Sequence, residues 1–151
     1  MHRLMSEHFI ALTPIDPKAE VPKEGPALRD AVANILGTDE VRLKDYGKLQ
    51  FIDCGQNFNT VSCPSCQSEI GQEQWHTWMD EDWHGEEGFH LHRHQTPCCD
   101  HEVTLNDLTY DMPQGFAHWM VSARAADLSE STLLDLSELA GTPLRLIRQR
   151  Y

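Results

Sequence analysis

The feature that most constrains the fold is a strand–helix–strand pattern near each end of the 151-residue chain. In the first half, the apolar residues 8–13 predict a buried strand. Apolar residues then recur at helical spacing between Pro26, which suits a first helical turn, and Gly37, which suits a left-handed C-terminal cap. Val41 and Leu43 predict a second strand. This half therefore predicts one helix that connects two strands.

The second half of the pattern repeats this order near the C-terminus. Residues 116–124 predict a strand, Ser129 is positioned to cap the N-terminus of a helix, and Gly141 is positioned to end it. Leu144 and Leu146 predict the final strand, and both predicted helices are followed by Gly-Thr. Two such halves resemble the ferredoxin-like arrangement, an antiparallel sheet with two helices on one face. The resemblance implies an α+β fold of the βαβ-βαβ type.

The stretch between the halves, residues 47–112, differs from both in composition and predicts an insertion within a single domain spanning residues 1–151. Residues 48–53 and 57–62 predict a hairpin that turns at residues 54–56. Residues 71–101 contain seven acidic residues, one arginine and six of the nine histidines. We therefore expect the insertion to be an acidic module.

All five cysteines lie in this insertion, and four of them form two pairs. Cys63 and Cys66 form a Cys-x-x-Cys motif, whose two intervening residues let a tight turn direct both sulfurs toward one tetrahedral ion. Cys98 and Cys99 are the thiol pair that remains to complete such a site. The set resembles the zinc ribbon, in which two Cys-x-x-Cys turns share one zinc ion, over residues 63–99. The resemblance implies a structural zinc cofactor.

The second pair departs from the ribbon pattern, because Cys98 and Cys99 are adjacent. Neighbouring side chains of an extended strand point to opposite faces, so both can bind one ion only if the backbone turns sharply there. Otherwise His94, His101 or Cys54 would supply the fourth ligand.

A redox-active dithiol or a disulfide is an alternative role for the Cys-x-x-Cys motif. Such a dithiol normally opens a helix, and Gly71 leaves little room for one directly after Cys66. We therefore favour a structural zinc site whose ligands are Cys63, Cys66, Cys98 and Cys99.

The histidines of the acidic segment offer a second hypothesis, a metal-dependent enzyme that uses the His-rich residues 76–94. A helix over residues 72–84 would align His76, Asp80 and His84, and a strand would align His90, His92 and His94. A catalytic metal needs an open position and a nearby carboxylate, which this segment can provide. No His-Glu-x-x-His motif assigns roles, so no catalytic residue is predicted.

A binding protein is the favoured function, because tryptophan beside acidic residues suits the anchoring of a basic protein partner. The candidate contact residues are Trp75, Trp78, Asp80, Glu81, Asp82 and Trp83. In size and charge alone, the chain resembles the small acidic immunity proteins that neutralise bacterial toxins. That resemblance implies a toxin with a basic surface as the partner. A zinc-responsive or redox-responsive protein is the remaining alternative.

The formal net charge of −12 opposes binding to phosphate groups, so we expect no nucleic-acid partner. The longest apolar runs are too short to cross a bilayer, which argues against a membrane partner. Residues 1–5 are not followed by the apolar stretch of a secretory signal, so we expect a cytoplasmic protein.

Overall fold

The computed structural model describes residues 7–151, and within them the fold is mixed α+β with antiparallel sheets. Residues 1–5, on which the expectation about a secretory signal rests, lie outside this range. The strands, in chain order, are β1 (His8–Pro14), β2 (Val41–Ile52), β3 (Val61–Ser62), β4 (Glu69–Ile70), β5 (His94–Gln95), β6 (Glu102–Val103), β7 (Thr109–Tyr110), β8 (Gly115–Ala123) and β9 (Leu144–Arg150). The helices are α1 (Gly25–Leu36), α2 (Gln72–Asp82), α3 (Glu130–Ala140) and a 3-10 helix over Gly85–Glu87.

The four long strands form one sheet in the order β2-β8-β1-β9, and every neighbouring pair is antiparallel. Leu12 of β1 lies opposite Val121 of β8 on one side and Leu146 of β9 on the other. Strand β8, from the second half of the chain, therefore lies between the two strands of the first half. The prediction of an antiparallel α+β fold is confirmed.

The predicted helix boundaries are confirmed at both long helices of the sheet. Pro26 lies in the first turn of α1, and Gly37 ends that helix in the left-handed conformation with φ 67°. The hydroxyl of Ser129 accepts a hydrogen bond from the Thr132 N–H at 3.3 Å, and Gly141 ends α3 with φ 73°. These residues end their helices because a short polar acceptor satisfies a free N–H and glycine adopts positive φ without strain.

The largest apolar core lies between the sheet and the helices α1 and α3. Ile10 and Leu12 of β1 and Trp119 and Val121 of β8 contribute to it, and all four side chains are almost fully buried. No described residue from 47–112 belongs to this core. The helix-covered face of the sheet is therefore packed without any help from the insertion.

The insertion has its own core, and this core reaches the sheet at Phe116 of β8 and at Leu49 and Phe51 of β2. Phe116 of β8 is buried among the apolar residues of the insertion, with its ring centroid 5.0 Å from those of Phe51 and Phe89. On the same sheet face as Ala11, a third cluster contacts Phe58 of the insertion. The insertion consequently covers the sheet face opposite the helices, since alternate residues of a strand face opposite sides.

The predicted hairpin over residues 48–62 is wrong. Strand β2 instead continues to Ile52 and pairs with β8 after an irregularity between Asp45 and Gln50. The residues after it bind the edge of the sheet, where the Gln56 N–H donates to the Arg150 carbonyl oxygen at 2.7 Å. Strand β3 pairs with β4 and β7 instead.

Among residues 7–151, no helix is long and apolar enough to cross a lipid bilayer.

Candidate metal centre

Two short hairpins of the insertion have the same strand pairing. Val61 of β3 lies opposite Ile70 of β4, and 33 positions later His94 of β5 lies opposite Val103 of β6. A tight turn connects the strands of each hairpin. The insertion thus contains the same small unit twice.

The two turns also have the same backbone hydrogen bonds. In the first turn, the Cys63 N–H donates to the Ser68 carbonyl, and the Gln67 N–H donates to the Cys63 carbonyl, each at 2.9 Å. In the second, the Thr96 N–H donates to the His101 carbonyl and the Asp100 N–H to the Thr96 carbonyl, again at 2.9 Å. Gln67 and Asp100 adopt positive φ of 62° and 59° at equivalent positions.

This equivalence of the two turns shows how the adjacent Cys98 and Cys99 can both be directed toward one metal ion. Cys99 occupies the position of Cys66, whereas Thr96 occupies the position of Cys63. Cys98 occupies the position of Ser65 and is thus inside the turn, where the backbone is not extended. The sharp turn that the adjacent pair requires is therefore present.

The four predicted thiols converge in the structure. The Sγ–Sγ distances are 3.7 Å for Cys63 and Cys99 and 3.2 Å for Cys66 and Cys98, and all four sulfurs lie within 4.8 Å of one another. A tetrahedral ion with metal–sulfur bonds of about 2.3 Å places its sulfurs about 3.8 Å apart. The group could therefore hold one metal ion with modest adjustment.

The three alternative fourth ligands lie outside this group. The His94 ring stacks on Trp78 with centroids 4.8 Å apart, and the Cys54 thiol donates to the Gln114 side-chain oxygen at 3.2 Å. His101 contributes its backbone N–H, which donates to the Thr96 hydroxyl at 3.0 Å. None of these residues joins the four-cysteine group.

The surroundings of the sulfurs favour ionisation at one side of the group. Burial disfavours the Cys63 thiolate, but hydrogen bonds from the backbone of Cys66 and Ser65 outweigh this and lower its pKa to about 6. The side-chain contact with Cys66 raises the pKa of Cys98 to about 11, so that thiol keeps its proton more readily than Cys63 does. Four thiolates at this spacing need a cation, and metal binding would displace the remaining protons.

By contrast, Cys54 lies apart from this group, and its surroundings disfavour the thiolate form that binds metals. Burial, with the charge of Asp53, raises its pKa to about 11. The fifth cysteine thus belongs to the apolar cluster on the sheet face opposite the helices.

The histidines assemble differently from either predicted alignment. His84, His90 and His92 bring their ring nitrogens within 4.8 Å of one another and form a second group that could hold a metal ion. His76 is exposed on α2 and His94 stacks on Trp78, so neither joins them. A loop between α2 and β5, not a helix face or a strand face, brings the three rings together.

The predicted contact residues divide into buried and exposed sets. Trp75 and Trp78 are core residues of the insertion, and Asp82 is fully buried. These three are spaced at i, i+3 and i+7 and therefore share the inner face of α2. The exposed residues are Asp80, Glu81 and Trp83.

The sequence contained a signal for the repeated turn that composition alone does not reveal. The two turns share Pro, Cys and Glu at an offset of 33 residues, at Pro64 and Pro97, Cys66 and Cys99, and Glu69 and Glu102. An apolar residue follows each glutamate. This spacing predicts the equivalence of Thr96 and Cys63.

Comparisons of the chain with models of known protein families, with curated protein sequences and with solved structures found no match.

Replacing one of the adjacent cysteines tests the equivalence of the turns. Cys98→Ser should lose the bound metal, because three thiols remain. Adding Thr96→Cys to Cys98→Ser should restore it, since the second turn then has cysteines at both positions used by the first. Elemental analysis of metal per chain measures both results.

Cys54→Ala is the matched control and should retain the full metal content, because Cys54 lies outside the group. Failure of the double variant to regain metal, while its circular dichroism spectrum stays that of the wild type, would contradict the equivalence.

Proposed function

We propose that this chain is a small acidic protein-binding module whose insertion is held together by a structural zinc ion. The observation that carries the proposal is the closed set of four cysteines. Thiolates are soft ligands that favour zinc among the common tetrahedral ions. Four protein ligands leave no open position for a substrate or an activated water, as in structural zinc sites.

We also propose a specific architecture, a ferredoxin-like domain that contains a zinc-ribbon-like insertion. The strand order β2-β8-β1-β9, antiparallel throughout, with α1 and α3 on one face, supports a ferredoxin-like domain. The two equivalent turns and their four thiols support a zinc-ribbon-like module inserted between β2 and β8. A reducing compartment, the cytoplasm, is the expected location because thiolate ligands persist there without oxidation to disulfides.

The charge of the insertion supports a basic partner. Residues 47–112 contain twelve of the 24 acidic residues but only two of the 12 lysines and arginines, Lys48 and Arg93. Zinc bound by four thiolates adds a further net negative charge. A surface of one sign accelerates association with a partner of the opposite sign and disfavours phosphate.

The candidate contact surface lies at the C-terminal end of α2. Trp83 is 44% exposed there, next to the exposed carboxylates of Asp80 and Glu81, and Glu86 and Glu87 follow. An exposed tryptophan surrounded by charge matches the anchor and rim of a protein interface. A toxin of the kind that immunity proteins neutralise, with a basic surface, is the partner class this surface fits.

The acidic residues at this helix end also have a cost for stability. The last turn of α2 contains no basic residue, and Asp80 and Glu81 lie where the helix dipole is negative. Each such placement costs roughly 0.3–1 kcal/mol at an exposed site. Their presence there supports a role other than stabilising the helix.

Removing the zinc tests its structural role. Chelation should increase amide hydrogen exchange across residues 48–110, because the short strands of the insertion depend on the metal. The amides of β1 and α1 should stay protected, since the core between the sheet and the helices contains no residue of the insertion. Hydrogen exchange measured by mass spectrometry follows both regions at once, and global unfolding on chelation would contradict the proposal.

Two matched triple variants test the contact surface. Asp80→Asn, Glu81→Gln and Trp83→Ala remove two charges and one exposed apolar side chain from the end of α2. Asp135→Asn, Glu138→Gln and Leu134→Ala remove the same from α3, where Leu134 is 68% exposed. Basic proteins enriched from a cell extract by cation exchange are captured on the immobilised wild-type chain, and their association is then measured against each variant.

The α2 variant should lose the captured partner and the α3 variant should retain it. The association rate with the wild-type chain should fall by about tenfold or more on raising the salt concentration, as expected for electrostatic steering. Equal binding to both variants, or an association rate that salt leaves unchanged, would contradict this surface.

A further inference from the structure

We propose that His84, His90 and His92 form a second metal site, which takes one divalent transition-metal ion of the zinc class and exchanges it with solvent. We call these three residues the His cluster. The site is separate from the four-cysteine group and shares no residue with it. The proposal concerns metal binding only and does not depend on the identity of the protein partner.

The three rings of the His cluster lie close together at the tip of one loop. The Nε2 atoms of His84 and His92 are 2.8 Å apart, and the rings of His84 and His90 stack with centroids 3.8 Å apart. The rings of His90 and His92 have centroids 5.6 Å apart. Three imidazoles at this spacing are a recurrent ligand set for zinc, copper and nickel.

A buried carboxylate holds the loop in this shape. Asp82 is fully buried, and its two oxygens accept hydrogen bonds from three consecutive backbone N–H groups, those of His90 at 3.1 Å, Leu91 at 2.8 Å and His92 at 2.6 Å. Leu91 adopts a positive φ of 55° within this segment. A non-glycine residue in the left-handed region persists only where its surroundings impose it, and the three bonds to Asp82 do so.

The other side of the loop is fixed to the main sheet. The His84 N–H donates to the Gly88 carbonyl at 2.9 Å, and the Phe89 N–H donates to the Leu49 carbonyl of β2 at 3.0 Å. Gly88 has φ 75°, and a Cβ there would collide with the Leu49 backbone. The backbone that carries the three rings is therefore fixed before any metal arrives, which reduces the entropy cost of binding.

The His cluster is open to solvent, and it leaves one coordination position of a bound metal ion free. All three rings of the His cluster are exposed, so an ion enters directly from solvent. Zinc–nitrogen bonds of about 2.0–2.1 Å in a tetrahedral site place the nitrogens about 3.3 Å apart, so His84 and His92 need to separate by about 0.5 Å. Glu87 Oε1 lies 3.5 Å from His90 Nε2 and is placed to orient that ring or a bound water.

This arrangement differs in kind from the four-cysteine group. Three histidines leave the fourth position to water or to a donor group from a second molecule, whereas four thiols close the coordination. The ion in the His cluster should therefore exchange readily, and the ion held by cysteine should not.

The test is calorimetric titration of Zn²⁺ into the full chain already loaded with one equivalent of zinc. A second equivalent should bind. In His84→Ala and in His92→Ala its affinity should fall by about 100-fold or more, because one of three ligands is lost. His76→Ala and His101→Ala, which remove histidines outside the cluster, should leave the affinity unchanged.

The variant Asp82→Asn tests whether Asp82 positions the loop that carries the His cluster, without itself binding the metal. It keeps the shape of the side chain, and it should weaken the second equivalent by about 10- to 100-fold, as for residues that orient metal ligands. The first zinc and the circular dichroism spectrum should be unaffected in each histidine variant, which shows that the fold is intact.

Co²⁺ used in place of the second zinc gives an independent readout. Its near-ultraviolet absorption should lack thiolate-to-metal charge transfer, because the ligands are nitrogen and oxygen. Absence of a second equivalent, an equal loss in the His76→Ala variant, or a thiolate charge-transfer band in the second step would overturn the proposal.

Discussion

We propose that the insertion depends on one physical constraint, the four sulfur atoms gathered within 4.8 Å of one another. Ionised together they repel, and only a cation at their centre makes the arrangement favourable. The strands that carry them, β3 to β6, are two residues long each, too short for a stable hairpin without further support. A metal at this point would connect the two hairpins directly, in addition to the apolar core that Val61, Ile70 and Val103 share.

The remainder of the insertion is attached to the sheet by apolar contacts and hydrogen bonds. Phe116 packs between Phe51 and Phe89, and Gln56 and Asn57 bind the backbone of the edge strand β9. The opposite face of the same sheet is packed mainly by α1 and α3, and within residues 7–151 no residue of the insertion belongs to that core. The chain thus contains two cores formed by apolar burial, and the core of the insertion lies beside four thiols that could hold a metal ion.

Local patterns predicted the parts of the fold that local physics controls. Gly37, Gly141 and Ser129 were placed correctly because helix ends are determined by neighbouring backbone groups. The four cysteines were grouped correctly because their number left few combinations. The hairpin over residues 48–62 was wrong, since periodicity does not reveal that Gln50 to Ile52 extend β2 along β8.

The candidate sites depended more on contacts distant in sequence. Asp82 looked like a surface acid, yet it is the buried acceptor for the loop that carries the His cluster. His84 joins His90 and His92 because that loop reverses direction, which neither a helix nor a strand pattern can show. The equal hydrogen bonds of the two turns place Thr96 at the position of Cys63, in agreement with the 33-residue offset of Pro, Cys and Glu in the sequence.

The most direct measurement of the central claim is X-ray absorption at the zinc edge, on protein that contains a single equivalent of zinc. The account predicts four sulfur neighbours at about 2.3 Å and no nitrogen or oxygen in the first shell. A first shell of three sulfurs with one nitrogen or oxygen at about 2.0–2.1 Å would contradict it, because the adjacent cysteines would then not both be ligands.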